Sequence, residues 1–184
     1  MGGKPARPGR GFFLLVTERL TGYHKTLPMP DRHILLVEDD PDSAHLAMQV
    51  FKQIAKGTSI RHVSDGVEAL DYLEGRDDCA GDDPRQPVVV LLDLKMPRVD
   101  GFGVLERLHA ASKRPSHPVI VLSSSEHDCD VQRAYKLGAS GYVVKSINFD
   151  KYRSALQAIW DFWCVHNHPP HTRHLLVPAN TSAS

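Results

Sequence analysis

The chain has 184 residues, in which 22 lysines and arginines balance 22 aspartates and glutamates. This length accommodates one domain with tails, and the zero formal charge provides no overall attraction to nucleic acid or to an anionic membrane surface. No apolar run approaches the ~20 residues of a membrane span, and Cys79, Cys129 and Cys164 fit reduced thiols, so we expect a cytoplasmic protein without a membrane or nucleic-acid partner.

The two ends of the chain are predicted to be tails. Residues 1–30 contain repeated glycine and proline, which disfavours regular structure, so we predict a disordered N-terminal tail. Met29 is a second candidate start site, which leaves open whether residues 1–28 are translated natively. We expect one domain over residues 31–166, no output domain after it, and a C-terminal tail over residues 167–184 that is a candidate dimer contact.

Between the tails, short apolar runs alternate with amphipathic segments. The apolar runs lie near residues 33–37, 59–63, 88–92, 118–122 and 141–144. Each is followed by a segment with helical spacing of its apolar residues. Strands that are apolar on both faces are typical of a parallel sheet covered by helices on both sides. The pattern therefore predicts a doubly wound α/β fold with five parallel strands and five helices.

Charged side chains follow three of these apolar runs. Glu38 and Asp39 follow the first run, Asp93 follows the third, and Lys145 follows the fifth. Ligands of open parallel sheets bind outside the carboxyl ends of the strands, so we expect these side chains to converge there. Carboxylates that converge repel each other unless a cation joins them.

Mg²⁺ is the cation that this set of side chains favours. It prefers oxygen ligands and usually takes one or two carboxylates while keeping several waters. Asp39 and Asp93 are the candidate direct ligands, Glu38 is a candidate ligand through water, and the backbone carbonyl of Lys95 is a fourth candidate. With its repulsion offset, the Asp93 carboxylate is a candidate nucleophile toward phosphorus.

Four ordered motifs resemble the receiver domain of two-component response regulators. They are residues 35–40, 93–101, 121–125 and 137–145, and the resemblance covers about residues 32–165. It implies a CheY-like fold with strand order 2-1-3-4-5. It also implies that Asp93 accepts a phosphoryl group, that Glu38 and Asp39 hold the metal, and that the donor is a sensor histidine kinase.

The resemblance assigns three further roles at the predicted site. Ser123 is implied to be the switch hydroxyl, Tyr142 the switch aromatic residue and Lys145 the phosphoryl-binding lysine. In the implied two-state mechanism, Ser123 turns toward the phosphoryl group and Tyr142 moves into the space that it leaves. The face formed by the fourth helix, fifth strand and fifth helix then changes its affinity for partners.

The end of the domain resembles a narrower group. Ser146 follows Lys145 where most receivers carry proline, and the run from Lys145 to Phe149, with Phe162-Trp163 further on, is similar to single-domain regulators paired with bacterial and cyanobacterial phytochromes. The resemblance implies a phytochrome-type kinase as the phosphodonor.

The fifth helix carries a candidate partner surface. Phe149, Tyr152, Leu156, Ile159 and Trp163 form one stripe at helical spacing and are predicted to be core. Trp160 flanks this stripe and Phe162 lies off it, which marks these two residues as candidates for a contact surface. We therefore predict a homodimer through the fourth-to-fifth helix face.

Two alternatives to a phosphorylated signalling module stay open. The first is a Mg²⁺-dependent phosphohydrolase with an aspartyl-phosphate intermediate, although the position two residues after the nucleophile, where its acid/base carboxylate would lie, is Lys95. The second is a receiver-shaped scaffold that accepts no phosphate. The leading prediction is a phosphoacceptor with at most slow autodephosphorylation, not an enzyme.

Overall fold

A computed structural model describes residues 33–55, 57–75, 87–111 and 117–167. The predicted N-terminal tail, and the predicted C-terminal tail beyond Asn167, lie outside these residues. Strands and helices alternate through the described ranges in the order β1 (His33–Val37), α1 (Pro41–Ile54), β2 (Ser59–Val63), α2 (Gly66–Leu73), β3 (Val89–Asp93), α3 (Gly101–Ala110), β4 (Val119–Ser123), α4 (Asp128–Lys136), β5 (Gly141–Val144) and α5 (Phe149–Ile159), and a π-helix (Trp160–His166) continues α5.

The five strands form one parallel sheet with the order β2-β1-β3-β4-β5. The predicted fold class and strand order are confirmed. β3 and β4 each begin and end one residue later than predicted, so Asp93 and Ser123 are the last residues of their strands. Within the described ranges, no helix is both long enough and apolar enough to cross a bilayer.

The sheet buries both of its faces, which explains why its central strands are apolar except at their ends. Every residue of β1, β3 and β4 is buried. Ile34 and Leu36 pack in the cluster that includes α1 and α5, whereas Leu35 and Val37 pack in the cluster that includes α2, α3 and α4. In the edge strand β2, Ser59 and Arg61 are exposed whereas Ile60 and His62 are more buried, because successive side chains of a strand point to opposite faces of the sheet.

Side-chain caps begin four of the helices close to the carboxyl edge of the sheet. Asp40 accepts a hydrogen bond from the Ser43 amide and so caps α1. Asp65, Asp100 and Asn148 cap α2, α3 and α5 in the same way. These caps use backbone amides that the first helical turn leaves without partners. They hold the loops that follow β1, β2 and β3, and the loop before α5, in defined positions around the strand ends.

Helix α5 follows its predicted stripe only in the middle. Tyr152, Leu156 and Ile159 are buried and Trp163 packs against the same cluster, but Phe149 is 47% exposed, so its predicted core position was wrong. Phe149 is the first residue of α5, and helical side chains tilt toward the N-terminus, which carries its ring past the packed surface. Beyond Ile159 the wider π-helical turn changes the angular spacing on which the prediction relied.

One buried histidine, His117, makes the stability of the native state depend on pH. His117 is 7% exposed and lines a cavity of about 200 Å³ together with Leu105 and Leu108. Burial, and to a smaller extent the nearby His33, lowers the pKa of His117 to about 4. The ordinary histidine pKa in an unfolded chain is about 6.5. The native state therefore gains stability from neutral His117 above about pH 6.5 and loses this contribution as the pH falls toward about 4.

We expect His117→Gln to reduce the loss of unfolding free energy between pH 7 and pH 5 by about 1–2 kcal/mol, because the substituted side chain takes up no proton on unfolding. Urea unfolding at the two pH values measures this difference. His109→Gln is the control, since His109 is an exposed histidine near the same cavity. Equal pH dependence in wild type and His117→Gln would contradict the expectation.

Candidate functional site

Three carboxylates meet at the carboxyl edge of the sheet. One oxygen each from Glu38, Asp39 and Asp93 lies within 4.8 Å of the others. Glu38 and Asp39 directly follow β1 and Asp93 ends β3, and these two strands are neighbours in the sheet. Glu38 and Asp93 are buried, whereas Asp39 is exposed. The structure thus brings together the three side chains that the sequence marked as candidate metal ligands.

Lys145 joins two of these carboxylates. Its Nζ donates to Glu38 Oε2 at 2.6 Å and to Asp93 Oδ2 at 2.8 Å. Its backbone amide donates to the carbonyl of Ser123 at 2.8 Å, which fixes the start of the loop after β5. Burial disfavours the charged ammonium, but the hydrogen bonds and charges of Asp93 and Glu38 outweigh it and raise the pKa of Lys145. Lys145 is therefore a permanent positive charge at this site.

Glu38 has an oxygen that the protein does not satisfy. Oε1 is buried and has no hydrogen-bond partner among the residues that the structure describes. Burial raises the pKa of Glu38 to about 7, against the opposing effect of Lys145. The backbone of the same residue is held by His62, whose Nε2 hydrogen-bonds to the Glu38 carbonyl at 2.9 Å. A buried carboxylate oxygen without a partner is costly, and a bound cation would satisfy it.

The residues at this edge fit a hard divalent cation. Three carboxylates facing one ammonium leave an excess of two negative charges when all are ionised. Mg²⁺ and Mn²⁺ both take carboxylate and carbonyl oxygens. The unsatisfied Glu38 Oε1 and the exposed Asp39 carboxylate are available for such a cation. The Lys95 carbonyl stays a predicted ligand; the Lys95 amide donates to Asp93 Oδ1 at 3.3 Å.

A glycine and an arginine shape the loop that follows Asp93. A Cβ on Gly101 would collide with the Asp93 carbonyl oxygen, so only glycine allows α3 to begin this close to the end of β3. Arg98 adopts a left-handed backbone conformation, and its guanidinium forms an ion pair with the buried Asp65. The close approach at Gly101 and the Arg98–Asp65 ion pair fix the loop between the end of β3 and the start of α3 and connect it to the start of α2.

The two predicted switch residues hydrogen-bond to the same neighbour, Ser125. Ser123 is fully buried, and its Oγ accepts from the Ser125 amide at 3.1 Å. Tyr142 is partly buried, and its hydroxyl donates to the Ser125 carbonyl at 3.0 Å. Ser125 was missed by sequence reasoning, because nothing in the run of three serines that begins at Ser123 distinguishes it from the exposed Ser124.

The predicted partner face carries an apolar groove. The groove lies between α4, β5 and α5 and has a volume of about 470 Å³. Phe162 is 55% exposed on its rim and packs edge-to-face on Trp163 at a ring distance of 4.8 Å, whereas Trp160 is partly buried against the core. Of the two candidate contact residues, Phe162 presents the larger exposed surface.

Comparison with known proteins decides the family. The sequence model of one protein family, the response regulator receiver domain, matches residues 34–157 of this chain. The chain belongs to the response regulator receiver family. This match contains the three carboxylates, Ser123, Tyr142 and Lys145, and the predicted resemblance is confirmed.

Two relatives match this chain over most of their own length. A probable methanogenesis regulatory protein, FilR2 of Methanothrix harundinacea, is 35% identical over 137 residues, which cover 74% of this chain and 86% of that protein. Response regulator Rcp1 of Synechocystis is 32% identical over 134 residues, which cover 73% of this chain and 90% of that protein.

Solved structures of similar regulators share the fold. The Mn²⁺-bound form of Rcp1 superposes on this chain with a TM-score of 0.67 at 31% identity. The superposition covers 76% of this chain and 99% of the Rcp1 chain. The phosphorylated cyanobacterial phytochrome response regulator RcpA superposes with a TM-score of 0.70 at 29% identity and covers 77% of this chain and 99% of that one. Phytochrome-associated regulators are thus among the close structural neighbours.

We expect Asp39→Asn to weaken divalent-cation binding by at least about tenfold, because it removes an anionic ligand candidate from the cluster. Titration calorimetry with Mg²⁺, or electron paramagnetic resonance with Mn²⁺, measures the affinity. Asp40→Asn is the matched control: it removes the same charge one residue later, and asparagine caps a helix as well as aspartate does. Equal weakening in both variants would indicate a general charge effect instead of ligation.

Proposed function

We propose that this chain is a cytoplasmic response regulator in which Asp93 accepts a phosphoryl group from a sensor histidine kinase in a Mg²⁺-dependent reaction. The observation that supports this most strongly is the meeting of Glu38, Asp39 and Asp93 within 4.8 Å, with Lys145 bonded to two of them. Phosphorylation changes the conformation of the chain, and this change alters its contacts with partner proteins. The chain acts as a phosphoacceptor that loses its phosphate slowly, not as an enzyme.

The proposed transfer begins with attack by an Asp93 carboxylate oxygen on the phosphorus of a phosphorylated kinase histidine. The new oxygen–phosphorus bond forms as the phosphorus–nitrogen bond breaks, and the departing imidazole keeps the electron pair and takes a proton from solvent. Lys145 Nζ, 2.8 Å from Asp93 Oδ2, is placed to stabilise the charge on the phosphoryl oxygens. Ser123 supplies a hydroxyl from the end of the adjacent strand.

The metal requirement rests on the charge of the cluster. Glu38, Asp39 and Asp93 would hold Mg²⁺, which when bound offsets their repulsion and the charge of the incoming phosphoryl group. The buried Glu38 Oε1, without a partner among the described residues, supports this assignment. The Mn²⁺-bound form of the similar regulator Rcp1 supports a divalent cation in general.

The proposed donor is a phytochrome-type histidine kinase. Membership in the receiver family supports a sensor histidine kinase as the partner class. The likeness to RcpA, a phytochrome response regulator, supports the narrower choice. FilR2, a probable methanogenesis regulatory protein, is as similar in sequence as Rcp1 is, so sequence identity alone does not identify the stimulus. Phosphotransfer profiling against the kinases of the host tests the pairing directly.

The two alternatives differ from the proposal in turnover. A phosphohydrolase would need an acid/base carboxylate two residues after Asp93, and this position is the exposed Lys95. The Lys145 ammonium between buried carboxylates favours a functional site over a scaffold that is never phosphorylated, because buried groups of this kind cluster at functional sites. Acetyl phosphate with Mg²⁺ separates the three: we expect stoichiometric, slowly reversed modification, against multiple turnover or no response.

We expect Asp93→Asn to abolish modification by acetyl phosphate, because the amide cannot form an acyl phosphate. Intact-protein mass spectrometry detects the added phosphoryl group, and its release by hydroxylamine identifies an acyl phosphate. Asp100→Asn is the control, since it changes a nearby carboxylate that caps α3 and is expected to be modified like wild type. Modification of Asp93→Asn to the wild-type extent would place the acceptor elsewhere.

We also propose that the chain forms a homodimer through the face built by α4, β5 and α5. The apolar groove of about 470 Å³ on this face supports the proposal, and its lining includes Tyr135, Tyr142, Ala158, Ile159, Phe162 and Trp163. An exposed aromatic side chain beside an apolar groove is a typical anchor in protein–protein interfaces. Phe162 provides such an anchor.

We expect Phe162→Glu to raise the dimer dissociation constant by at least about tenfold, because it places a charge where an aromatic anchor packs. Sedimentation equilibrium over a range of concentrations, with and without beryllofluoride, measures the constant. Leu46→Glu is the control, since Leu46 is 41% exposed on α1, outside the proposed face. A wild type that stays monomeric in both states would refute the dimer.

A further inference from the structure

The peptide group that joins Glu38 to Asp39 lies just beyond the end of the sheet pairing. Glu38 is only 3% exposed, so the amide and the carbonyl of its backbone both need partners inside the protein. Its amide donates to the Val63 carbonyl at 3.1 Å, which continues the pairing of β1 with β2 by one residue. β2 ends at Val63, and the chain then turns toward α2. The Glu38 carbonyl accepts a hydrogen bond from a side chain instead.

The donor to this carbonyl is the imidazole of His62. Its Nε2 lies 2.9 Å from the Glu38 carbonyl oxygen. Because a carbonyl oxygen can only accept, Nε2 carries the hydrogen of this bond. His62 is partly buried and pairs with Leu36 in the sheet register, two residues before Glu38. Its side chain therefore extends along β1 and supplies a donor where β2 no longer runs beside the chain.

A hydrogen bond to this carbonyl restrains two candidate metal ligands at once. The Glu38 carbonyl and the Asp39 amide belong to one planar peptide group, so the bond limits the directions in which both side chains leave the backbone. On the other side of the pair, Asp40 caps α1 and fixes the start of that helix. The acidic pair is thus held between His62 and α1, where one oxygen of each carboxylate lies within 4.8 Å of one of Asp93.

Such a restraint favours cation binding because the carboxylates repel one another. Three of them face a single ammonium, and a rotation of the Glu38–Asp39 peptide would separate them when no cation is bound. A side chain that holds the peptide without adding charge keeps the ligands close together. A site that already has its binding geometry binds its ligand more tightly than one that must be ordered first.

We propose that His62 is a positioning residue that holds the Glu38–Asp39 peptide in the geometry that binds the divalent cation. This inference rests on the proposed Mg²⁺-dependent function. It extends the site to the edge strand β2, which contributes none of the three carboxylates. The role needs only the hydrogen on Nε2, which neutral and protonated imidazole can both provide.

The test compares side chains with and without a donor at position 62. His62→Phe keeps a flat ring that suits a strand but has no donor, whereas His62→Gln keeps an N–H donor at a similar reach. We expect His62→Phe to raise the Mn²⁺ dissociation constant, measured by electron paramagnetic resonance, at least about threefold. We expect His62→Gln to stay within about twofold of wild type, because its donor replaces the lost bond.

Modification by acetyl phosphate gives a second readout. We expect His62→Phe to need at least about threefold more Mg²⁺ for half-maximal modification of Asp93, while the rate at saturating Mg²⁺ stays close to that of wild type. General damage to the fold would lower the saturated rate as well. Urea unfolding of each variant confirms that the comparison is made on folded protein.

A matched control and a measurement on wild type complete the experiment. His45→Phe removes an exposed histidine of α1 whose Nε2 hydrogen-bonds to Gln49, not to the acidic pair, and it is expected to bind Mn²⁺ like wild type. Long-range hydrogen–nitrogen correlation in nuclear magnetic resonance identifies which ring nitrogen of His62 carries hydrogen in wild type, so this result depends on no variant. We expect hydrogen on Nε2; hydrogen on Nδ1 alone would overturn the proposal.

The outcomes distinguish failure of the positioning role from failure of the proposed function. If His62→Phe binds Mn²⁺ as tightly as wild type, the positioning role is refuted while the proposed function stands. If His62→Phe and His62→Gln are weakened equally, packing of the imidazole and not its donor carries the effect, which also refutes the proposal. If wild type binds no Mn²⁺ and is not modified by acetyl phosphate with Mg²⁺, the proposed function and the role of His62 both fall.

Discussion

The ammonium of Lys145 between two buried carboxylates is the interaction on which the site depends. Lys145 lies 107 residues from Glu38 and 52 from Asp93 along the chain, and its Nζ is within 2.8 Å of an oxygen of each. In the sheet, β4 separates β5 from β3, so the lysine side chain has to reach past the end of β4, where Ser123 lies. Neighbouring strands are about 4.8 Å apart, so the Lys145 and Asp93 side chains together cover the two strand intervals between β5 and β3.

This single cation only partly offsets the charges that it joins. Asp39 brings a third carboxylate, and the buried Glu38 Oε1 has no partner among the described residues. Burial of ionisable groups without full compensation lowers stability, and such arrangements concentrate at functional sites. The raised pKa of Glu38 reflects this cost. A divalent cation would supply the missing charge, so the arrangement favours a site that is completed by its ligands.

The strand ends also connect the acidic cluster to the proposed dimer face of α4, β5 and α5. Ser123 and Lys145 are linked through their backbones, and Ser123 is linked to Tyr142 and α4 through Ser125. Tyr142 lines the same groove as Phe162. A change in one buried hydroxyl can therefore reach an exposed apolar surface through a few hydrogen bonds. Such a path is short because the parallel sheet collects its functional residues along one edge.

Local patterns determined much of this protein from the sequence. Unbroken apolar runs predicted the buried parallel strands. The charges after these runs predicted the edge of the sheet where Asp93 and Lys145 meet, because apolar periodicity and the direction of a strand are local properties of the sequence. Only the tertiary structure decided which serine of the loop after β4 is buried and that Phe149 is exposed. Burial depends on which distant elements pack over a residue, and no pattern within a short segment contains that information.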